Sequence, residues 1–274
     1  MQANDTDLPL LLEAARAAGV IAARHFGTGP DSWDKGDGQG PVSVADLEID
    51  RMLRTTLTAA RPDYGWLSEE TEDDPARLTR PRAFVVDPID GTRAFLDGQT
   101  TFAHALAVVQ DGAPVVGVVH LPLQDLTYSA VLGGGAWLNG VRLTTPLRSG
   151  LTGARVLATK PVMAVAHWPG GVPEIARHFR PSLAWRLALV AEGRFDGMVT
   201  LRDTWNWDIA ASTLIAREAG ATVTDRYGAA LRFNTPRPMT AGVLAGSELV
   251  HAGLLSHLGM AAGANTGAPS ANPP

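Results

Sequence analysis

The chain has 274 residues, of which 45% are hydrophobic and 19% are charged, and its formal net charge at pH 7 is −5. This length predicts one catalytic unit built of two lobes. The negative charge argues against a nucleic-acid polymer as a partner, and no apolar run approaches the ~20 residues that a membrane span requires. The absence of cysteine excludes disulfides and thiolate sites and is compatible with a cytoplasmic protein.

The first quarter of the chain predicts two amphipathic helices. Apolar residues recur at helical spacing over residues 8–25, with Thr6 or Asp7 as the N-cap, and again over residues 42–61. Asp46 lies in the first turn of the second helix, where the helix dipole favours an anion. Helix capping is therefore a sufficient explanation for Asp46 from the pattern alone.

Residues 84–98, F-V-V-D-P-I-D-G-T-R-A-F-L-D-G, are the most informative stretch. The apolar run predicts a buried strand that ends at Asp87, because Pro88 cannot donate to a sheet ladder and keeps the residue before it extended. Asp90 and Gly91 follow with the composition of a tight turn. Taken alone, the two aspartates favour an Asx-type turn. The alternative is a cation site, since close carboxylates repel and Mg²⁺ prefers oxygen ligands.

An antiparallel meander is predicted after this turn, with Asp111-Gly112 and Asn139-Gly140 as hairpin signals. His104 and His120 lie inside these runs and are interpreted as sheet histidines, not ligands. From about residue 144 the pattern changes to alternating strands and helices. Strands are predicted over 64–67, 102–110, 115–120, 126–132, 135–139, 154–159 and 195–200, and further helices over 172–179, 182–193, 208–219 and 247–258.

This change of pattern suggests the domain organisation. We expect an N-terminal α+β lobe over residues 1–146 and a C-terminal α/β lobe over residues 147–260. Residues 261–274 are rich in Ala, Gly, Asn and Pro without periodicity, which predicts a disordered tail. The polar, charged segment 71–82 is predicted to be mobile.

Three segments together resemble the inositol monophosphatase family of Mg²⁺-dependent, lithium-sensitive phosphomonoesterases. D-P-I-D-G-T at 87–92 is similar to its D-P-[IL]-D-G-T signature, E-E-T at 69–71 to its G-E-E-[ST] element, and W-D-I-A-A at 207–211 to its W-D-x-A-[AG] element. They occur in the family's order, and the resemblance covers residues 8–258. It implies a layered αβαβα sandwich of class α/β, a small phosphorylated substrate and a homodimer.

The resemblance also implies roles for individual residues. Glu69 and Asp87, with the Ile89 carbonyl, would hold a first Mg²⁺, and Glu69 would contribute to a third. The second ion would be shared by Asp87, Asp90 and Asp208. Four carboxylates carry a charge of −4 and a phosphate monoester adds about −2, so two or three cations bring such a site towards neutrality.

The same correspondence assigns the residues around the attacking water and the phosphate. Asp46 and Thr92 match the family pair that orients and deprotonates this water, and Lys35 lies eleven residues before Asp46 as in the family. Glu70 matches a supporting hydrogen-bond acceptor. The backbone amides of Gly91 and Thr92 would bind phosphate oxygens.

The substrate is less constrained. Arg93 after D-G-T and L-V-A-E-G at 189–193 look more like the 3′(2′),5′-bisphosphate nucleotidase branch, in which a second anion could pair with Arg93 or Arg186. However, L-A-W-R at 183–186 departs from that branch's S-S-L-K and from the G-T-A-A of inositol phosphatases. Trp205 and Trp207 could stack an adenine or belong to the core. Alternatives are an inositol-1-monophosphatase, another sugar-phosphate phosphatase, and a non-catalytic metal- or ligand-binding relative.

Overall fold

The computed structural model describes residues 3–36 and 40–260. The helices are α1 (Ala3–His25), α2 (Val44–Ala60), α3 (Thr92–Leu96), α4 (Leu183–Ala191), α5 (Asn206–Glu218) and α6 (Glu248–His257). The strands are β1 (Ser32–Asp34), β2 (Pro41–Ser43), β3 (Gly65–Ser68), β4 (Arg82–Asp90), β5 (Ala103–Gln110), β6 (Ala113–Leu121), β7 (Leu126–Val131), β8 (Gly135–Leu138), β9 (Val141–Arg142), β10 (Ala154–Leu157), β11 (Ile175–His178), β12 (Gly197–Thr200), β13 (Thr204–Trp205), β14 (Thr222–Thr224), β15 (Met239–Thr240) and β16 (Val243–Gly246).

The larger sheet has seven strands in the order β3-β4-β5-β6-β7-β8-β9. Only β3 and β4 run parallel, and the remaining neighbours form the predicted antiparallel meander. Asp111 and Asn139 have positive φ, as do the glycines after them, which is the geometry of tight hairpin turns. Helices α1 and α2 cover one face of the sheet with a continuous apolar cluster.

The other face of this sheet packs on α4 and α5, which also contact the smaller sheet. The smaller sheet has five strands in the order β11-β10-β12-β16-β14. Its second face packs on α6. The succession of helices, sheet, helices, sheet and helix confirms the predicted layered αβαβα sandwich of class α/β. The predicted lobe boundary at 146/147 stays a prediction, and the predicted tail 261–274 lies outside the described residues.

Three local predictions away from Asp87 differ from the structure. The segment 172–179 is not a helix: Ile175–His178 is an edge strand parallel to β10. A helix of this length has little stability of its own, and pairing with β10 satisfies the backbone of the segment instead. The segment 71–82 contains a 3₁₀ helix, Pro75–Thr79, whose buried Arg77 pairs with Asp73, so it is more ordered than predicted.

The third difference concerns the first helix, which begins at Ala3, so that Asp7 is not its N-cap. Asp7 is fully buried and accepts hydrogen bonds from Arg61 (2.8 Å), Arg82 (2.9 Å) and the Tyr64 hydroxyl (2.9 Å). These partners offset the cost of burying the carboxylate. Asp7 therefore ties α1 to the end of α2 and to β4.

Candidate active site

The central turn lies where β4 leaves the larger sheet. The strand does not end at Asp87 as predicted, because a bulge accommodates Pro88 and the ladder then resumes. Asp87 pairs with Ala105 and Asp90 with Ala103, so two residues of β4 bulge out between the two aspartates. Gly91 follows with φ of 100°, a left-handed conformation that favours glycine, and serves as the N-cap of α3. The bulge and the glycine turn both carboxylates away from the regular ladder and place them on one wall of a cleft.

Three segments bring an acidic cluster together at this cleft. Glu69 follows β3, Asp87 belongs to β4, and Asp208 lies in the first turn of α5. One carboxylate oxygen from each lies within 4.8 Å of the others, a spacing at which these side chains could hold a metal ion. Burial, reinforced by the neighbouring carboxylates, raises the pKa of Asp87 and of Asp208 well above the usual range.

The side chains of this acidic cluster are suited to bind a cation. The Oδ1 atom of Asp87 is buried and has no hydrogen-bond partner among the described residues, which is costly for a carboxylate without a counter-charge. The cluster offers only oxygen donors, as hard divalent cations prefer. The buried Ile89 lines the same cleft.

Asp90, the fourth predicted ligand, has a different environment. Its Oδ2 accepts a hydrogen bond from the Ser182 hydroxyl (2.6 Å) and another from the backbone amide of Ala184 (2.6 Å). Burial still raises the pKa of Asp90, although these hydrogen bonds and the positive charge of Arg186 counteract it. Asp90 therefore links the turn to the N-terminus of α4 through Oδ2, and its other carboxylate oxygen, Oδ1, remains available to a ligand in the cleft.

The predicted water-orienting pair is in contact. The Thr92 hydroxyl lies 3.2 Å from Oδ1 of Asp46 and 3.1 Å from the Ile89 carbonyl oxygen. The other oxygen of Asp46 accepts from the backbone amide (2.9 Å) and hydroxyl (2.6 Å) of Ser43, so Asp46 also caps its own helix. Burial raises the pKa of Asp46 to about 6, even though these hydrogen bonds lower it.

Lys35 connects the two glutamates of the E-E-T element. Its ammonium donates to Glu69 (2.8 Å) and to Glu70 (2.8 Å). Burial lowers the pKa of Lys35, but the two glutamates more than offset this and raise it overall. Burial and the charge of Glu69 raise the pKa of Glu70 to about 7. Glu70 thus binds Lys35, as expected of a supporting residue.

The cleft has a volume of 660 Å³, and both predicted arginines line it. Arg93 is exposed, and its guanidinium has no hydrogen bond or ion pair within residues 3–36 and 40–260. Arg186 is buried: it donates to the carbonyls of Arg180 (2.5 Å) and Pro181 (3.3 Å), and its guanidinium lies 4.6 Å from the centre of the Phe179 ring.

Trp205 and Trp207 also line the cleft. Their rings stack with centroids 4.6 Å apart at an angle of 10°. Trp207 is buried and packs in the core beneath the larger sheet, whereas Trp205 is half-buried at its border. Core packing is thus shown for Trp207, and stacking of an adenine on Trp205 stays a prediction.

Two residues of the site were missed by the sequence analysis. Ser182 fell inside a predicted helix, and nothing local indicates that its hydroxyl would reach Asp90. Arg202 follows β12, lines the cleft and is exposed, without an ion-pair partner in the described part of the chain. Its charge acts on Asp208 and Arg186, lowering the pKa of each. Arg202 follows the carboxyl end of a strand, and ligands of α/β sheets bind at such ends, so this position could have indicated a role in the site.

The fold and the acidic cleft are those of a metal-dependent family of phosphatases that hydrolyse phosphomonoesters, and the protein is a phosphatase of this class. Among solved structures, the extragenic suppressor protein suhB of Bartonella henselae superposes with a TM-score of 0.80 at 30% identity, over 92% of this chain and 98% of that one. Among the described residues, no helix is both long and apolar enough to cross a membrane.

The chain belongs to the inositol monophosphatase family, whose sequence model matches residues 4–261. An inositol-1-monophosphatase of Rhizobium meliloti is 37% identical over 88% of this chain and 91% of its own length. The 3′(2′),5′-bisphosphate nucleotidase CysQ of Escherichia coli is 33% identical over 84% of this chain and 94% of its own. The chain is thus similar to both functional branches considered above.

Proposed function

We propose that this protein is a Mg²⁺-dependent phosphomonoesterase for a small metabolite that carries a second anionic group, with adenosine 3′,5′-bisphosphate as the favoured substrate and AMP as the product. The observation that carries this proposal is a pair of guanidinium groups beside the acidic cluster, Arg93 and Arg202, which have no side-chain partner within the described part of the chain. Mg²⁺ would bind the scissile phosphate, and the two arginines would bind another anionic group of the substrate. We further propose a lithium-sensitive, cytoplasmic homodimer.

Glu69, Asp87, Asp90, Asp208 and the Ile89 carbonyl would hold the metal ions. When bound, two magnesium ions would leave the carboxylates and the phosphate with a charge of about −2, a third would neutralise them, and the ions would make water a stronger nucleophile. The unsatisfied Oδ1 of Asp87 and the raised pKa values of Asp87 and Asp208 support this assignment, because both show a cluster that lacks counter-charge.

Asp46 and Thr92 would activate the attacking water. The Thr92 oxygen would accept a hydrogen bond from the water while the Thr92 hydroxyl donates one to Oδ1 of Asp46, so that as the water gives its proton to Thr92, the Thr92 proton would pass to Asp46. The Ser43 hydrogen bonds hold the opposite oxygen of Asp46, so Oδ1 stays directed at Thr92. A pKa of about 6 makes Asp46 a stronger base than an exposed aspartate and leaves it mostly ionised at neutral pH. The Gly91 and Thr92 amides would bind the phosphate.

Arg202 and Arg93 would bind the second anion. An arginine–phosphate contact is bidentate and charge-assisted, and it contributes about 1.5–3 kcal/mol when well formed, or about 10- to 150-fold in selectivity. Arg186 is less suited than the sequence analysis expected, because two backbone carbonyls already engage its guanidinium. We assign it instead to holding the loop before α4. The half-buried Trp205 could face a nucleobase.

A second candidate is inositol-1-monophosphatase activity. The relative from Rhizobium meliloti favours it, because its identity of 37% exceeds the 33% of the bisphosphate nucleotidase. Inositol 1-phosphate has no second anion, so the arginines would contribute little to its selectivity. This difference separates the two candidates.

The test is kcat/KM for adenosine 3′,5′-bisphosphate and for inositol 1-phosphate, with Mg²⁺, on the wild type and on Arg93→Ala, Arg202→Ala and Arg142→Ala. Arg142 lies on edge strand β9, outside the cleft lining, and serves as the control. We expect the nucleotide to be preferred and the preference to fall at least about 10-fold in Arg93→Ala or Arg202→Ala alone. A preference of the wild type for inositol 1-phosphate would transfer the proposal to the second candidate.

A further inference from the structure

The two-residue bulge in β4 faces a histidine. Between the ladder pairs Asp87–Ala105 and Asp90–Ala103, Pro88 and Ile89 together stand opposite the single residue His104 of β5. Pro88 has no N–H, and a bulge leaves local backbone groups without ladder partners. Because both flanking aspartates and the Ile89 carbonyl belong to the proposed metal site, the orientation of this peptide decides where the ligand atoms point.

His104 supplies the partner that the ladder does not. Its Nδ1 lies 2.5 Å from the Pro88 carbonyl oxygen, and the side chain is fully buried. A carbonyl oxygen can only accept, so Nδ1 carries the hydrogen and donates it. The Nε2 atom has no hydrogen-bond partner among the described residues, and the ring lies near that of His120, with centroids 6.1 Å apart. Within the described residues, the one hydrogen bond of the His104 side chain is therefore to the bulge.

We propose that His104 is a positioning residue of the metal site: its Nδ1–H fixes the Pro88 carbonyl, and with it the bulge that presents Asp87, Asp90 and the Ile89 carbonyl to the cleft. The inference rests on the proposed function, since it presupposes that these groups bind Mg²⁺. His104 touches neither metal nor substrate. It acts through the backbone, as outer-shell partners do when they orient ligands.

Two substitutions distinguish the effect of this hydrogen bond on Mg²⁺ binding from the effect of side-chain packing. His104→Asn keeps an N–H donor at the position of Nδ1 but leaves unfilled space, whereas His104→Leu fills the space but removes the donor. His120→Leu is the matched control, since His120 pairs with His104 across the strands but bonds Thr127 instead of the bulge. Mg²⁺ affinity is measured by titration calorimetry on chelator-treated protein, with circular dichroism to confirm folding and no substrate present.

We expect His104→Leu to weaken Mg²⁺ binding about 10-fold or more, while His104→Asn and His120→Leu stay within about 3-fold of the wild type. If His104→Leu does not fold, His104→Met replaces it, since methionine adapts to irregular space. Wild-type affinity in the donorless variant, or equal weakening in His104→Asn, overturns the inference. A wild type that binds no Mg²⁺ overturns the proposed function, and this inference with it. This outcome is distinct from the others, because it is observed in the wild type and does not depend on any variant.

Discussion

At the scale of single residues, the carboxylates of the cleft differ in what surrounds them. Asp87 has a buried oxygen without a partner, whereas one oxygen of Asp90 is held by Ser182 and Ala184. Asp90 therefore has two tasks, to bind the N-terminus of α4 and to offer its second oxygen to a cation. An amide at this position could do the first but not the second as well, because it carries no charge.

The substitution Asp90→Asn tests this division. Its carbonyl oxygen can still accept from Ser182 and the Ala184 amide, so the melting temperature should change little. The loss of one negative charge from a shared metal site should cost several kcal/mol of transition-state stabilisation, or at least about 100-fold in kcat/KM. Steady-state phosphate release measures it.

Asp97→Asn is the control for this variant, since Asp97 also lines the cleft but serves as the C-cap of α3. Near-normal turnover of Asp90→Asn at saturating Mg²⁺ would show that Asp90 has only the structural task.

At the scale of secondary-structure elements, the junction between the turn and α4 is the least predictable part of the site. Ser182 is the N-cap of α4: its hydroxyl accepts from the Trp185 amide at 3.0 Å while it donates to Asp90. The same side chain thus stabilises the helix and aligns a proposed metal ligand. Both contacts depend on a single hydroxyl group.

Ser182→Ala should lower the free energy of unfolding by about 0.5–2 kcal/mol through loss of the cap. It should also raise the Mg²⁺ concentration required for half-maximal activity, because the oxygen of Asp90 loses its donor. Ser247→Ala is a matched control: Ser247 is the N-cap of α6, but its side chain makes no capping hydrogen bond. Equal effects of the two substitutions in urea unfolding would contradict this account of Ser182.

A second prediction at this scale concerns acid stability. His251 of α6 is buried, with Nε2 2.8 Å from the Thr224 hydroxyl of β14, and burial lowers its pKa to about 4. Below about pH 6.5, His251 is therefore protonated in the unfolded chain, whereas in the folded chain it stays neutral down to about pH 4. Stability should therefore fall across this window, on the order of 3 kcal/mol for this group.

The measurement is urea unfolding of the wild type and His251→Gln between pH 7 and pH 4. The variant should lose less stability over this range than the wild type does, whatever its stability at pH 7. His167→Gln, at an exposed histidine, is the control and should follow the wild type. Parallel loss in wild type and His251→Gln would contradict the assignment.

The elements also show what the sequence could and could not indicate. The hairpin turns depend on local chemistry, and the structure places them as predicted. The predicted end of the strand at Asp87 is wrong, because the ladder resumes beyond the proline at the pair Asp90–Ala103 and β4 continues to Asp90. Edge strand β11 was missed because only its pairing with β10 makes it a strand. Ser182 and Arg202 were missed for a related reason. Their place in the cleft depends on how α4 and the smaller sheet pack beside β4, and the hydrophobic periodicity of a single segment does not indicate such packing.

At the scale of the whole molecule, the site joins the layers. Glu69 and Asp87 come from the larger sheet, Asp208 and Arg186 from the helices packed between the sheets, and Arg202 from the end of a strand of the smaller sheet. No layer contains the complete site, so its activity requires the packed sandwich. The lobe division at 146/147 that we propose places the cleft between its two parts.

The homodimer is a prediction at this scale. Light scattering coupled to gel filtration should give twice the chain mass of 28.8 kDa. Arg142→Ala and Arg93→Ala should elute as the wild type does, because neither substitution is expected to affect assembly. A mass of one chain at micromolar protein would contradict the prediction without touching the proposed chemistry.

The central claim is that the cluster of Glu69, Asp87 and Asp208 binds the metal with which a phosphomonoester is hydrolysed. The most direct test is a Mg²⁺ titration of phosphate release from adenosine 3′,5′-bisphosphate and inositol 1-phosphate, on chelator-treated wild type and Asp208→Asn. We predict no release without metal, recovery on adding Mg²⁺ for at least one substrate, and rates at least about 100-fold lower in Asp208→Asn at every Mg²⁺ concentration. Release that persists in chelator, or an Asp208→Asn variant as active as the wild type, would contradict the claim.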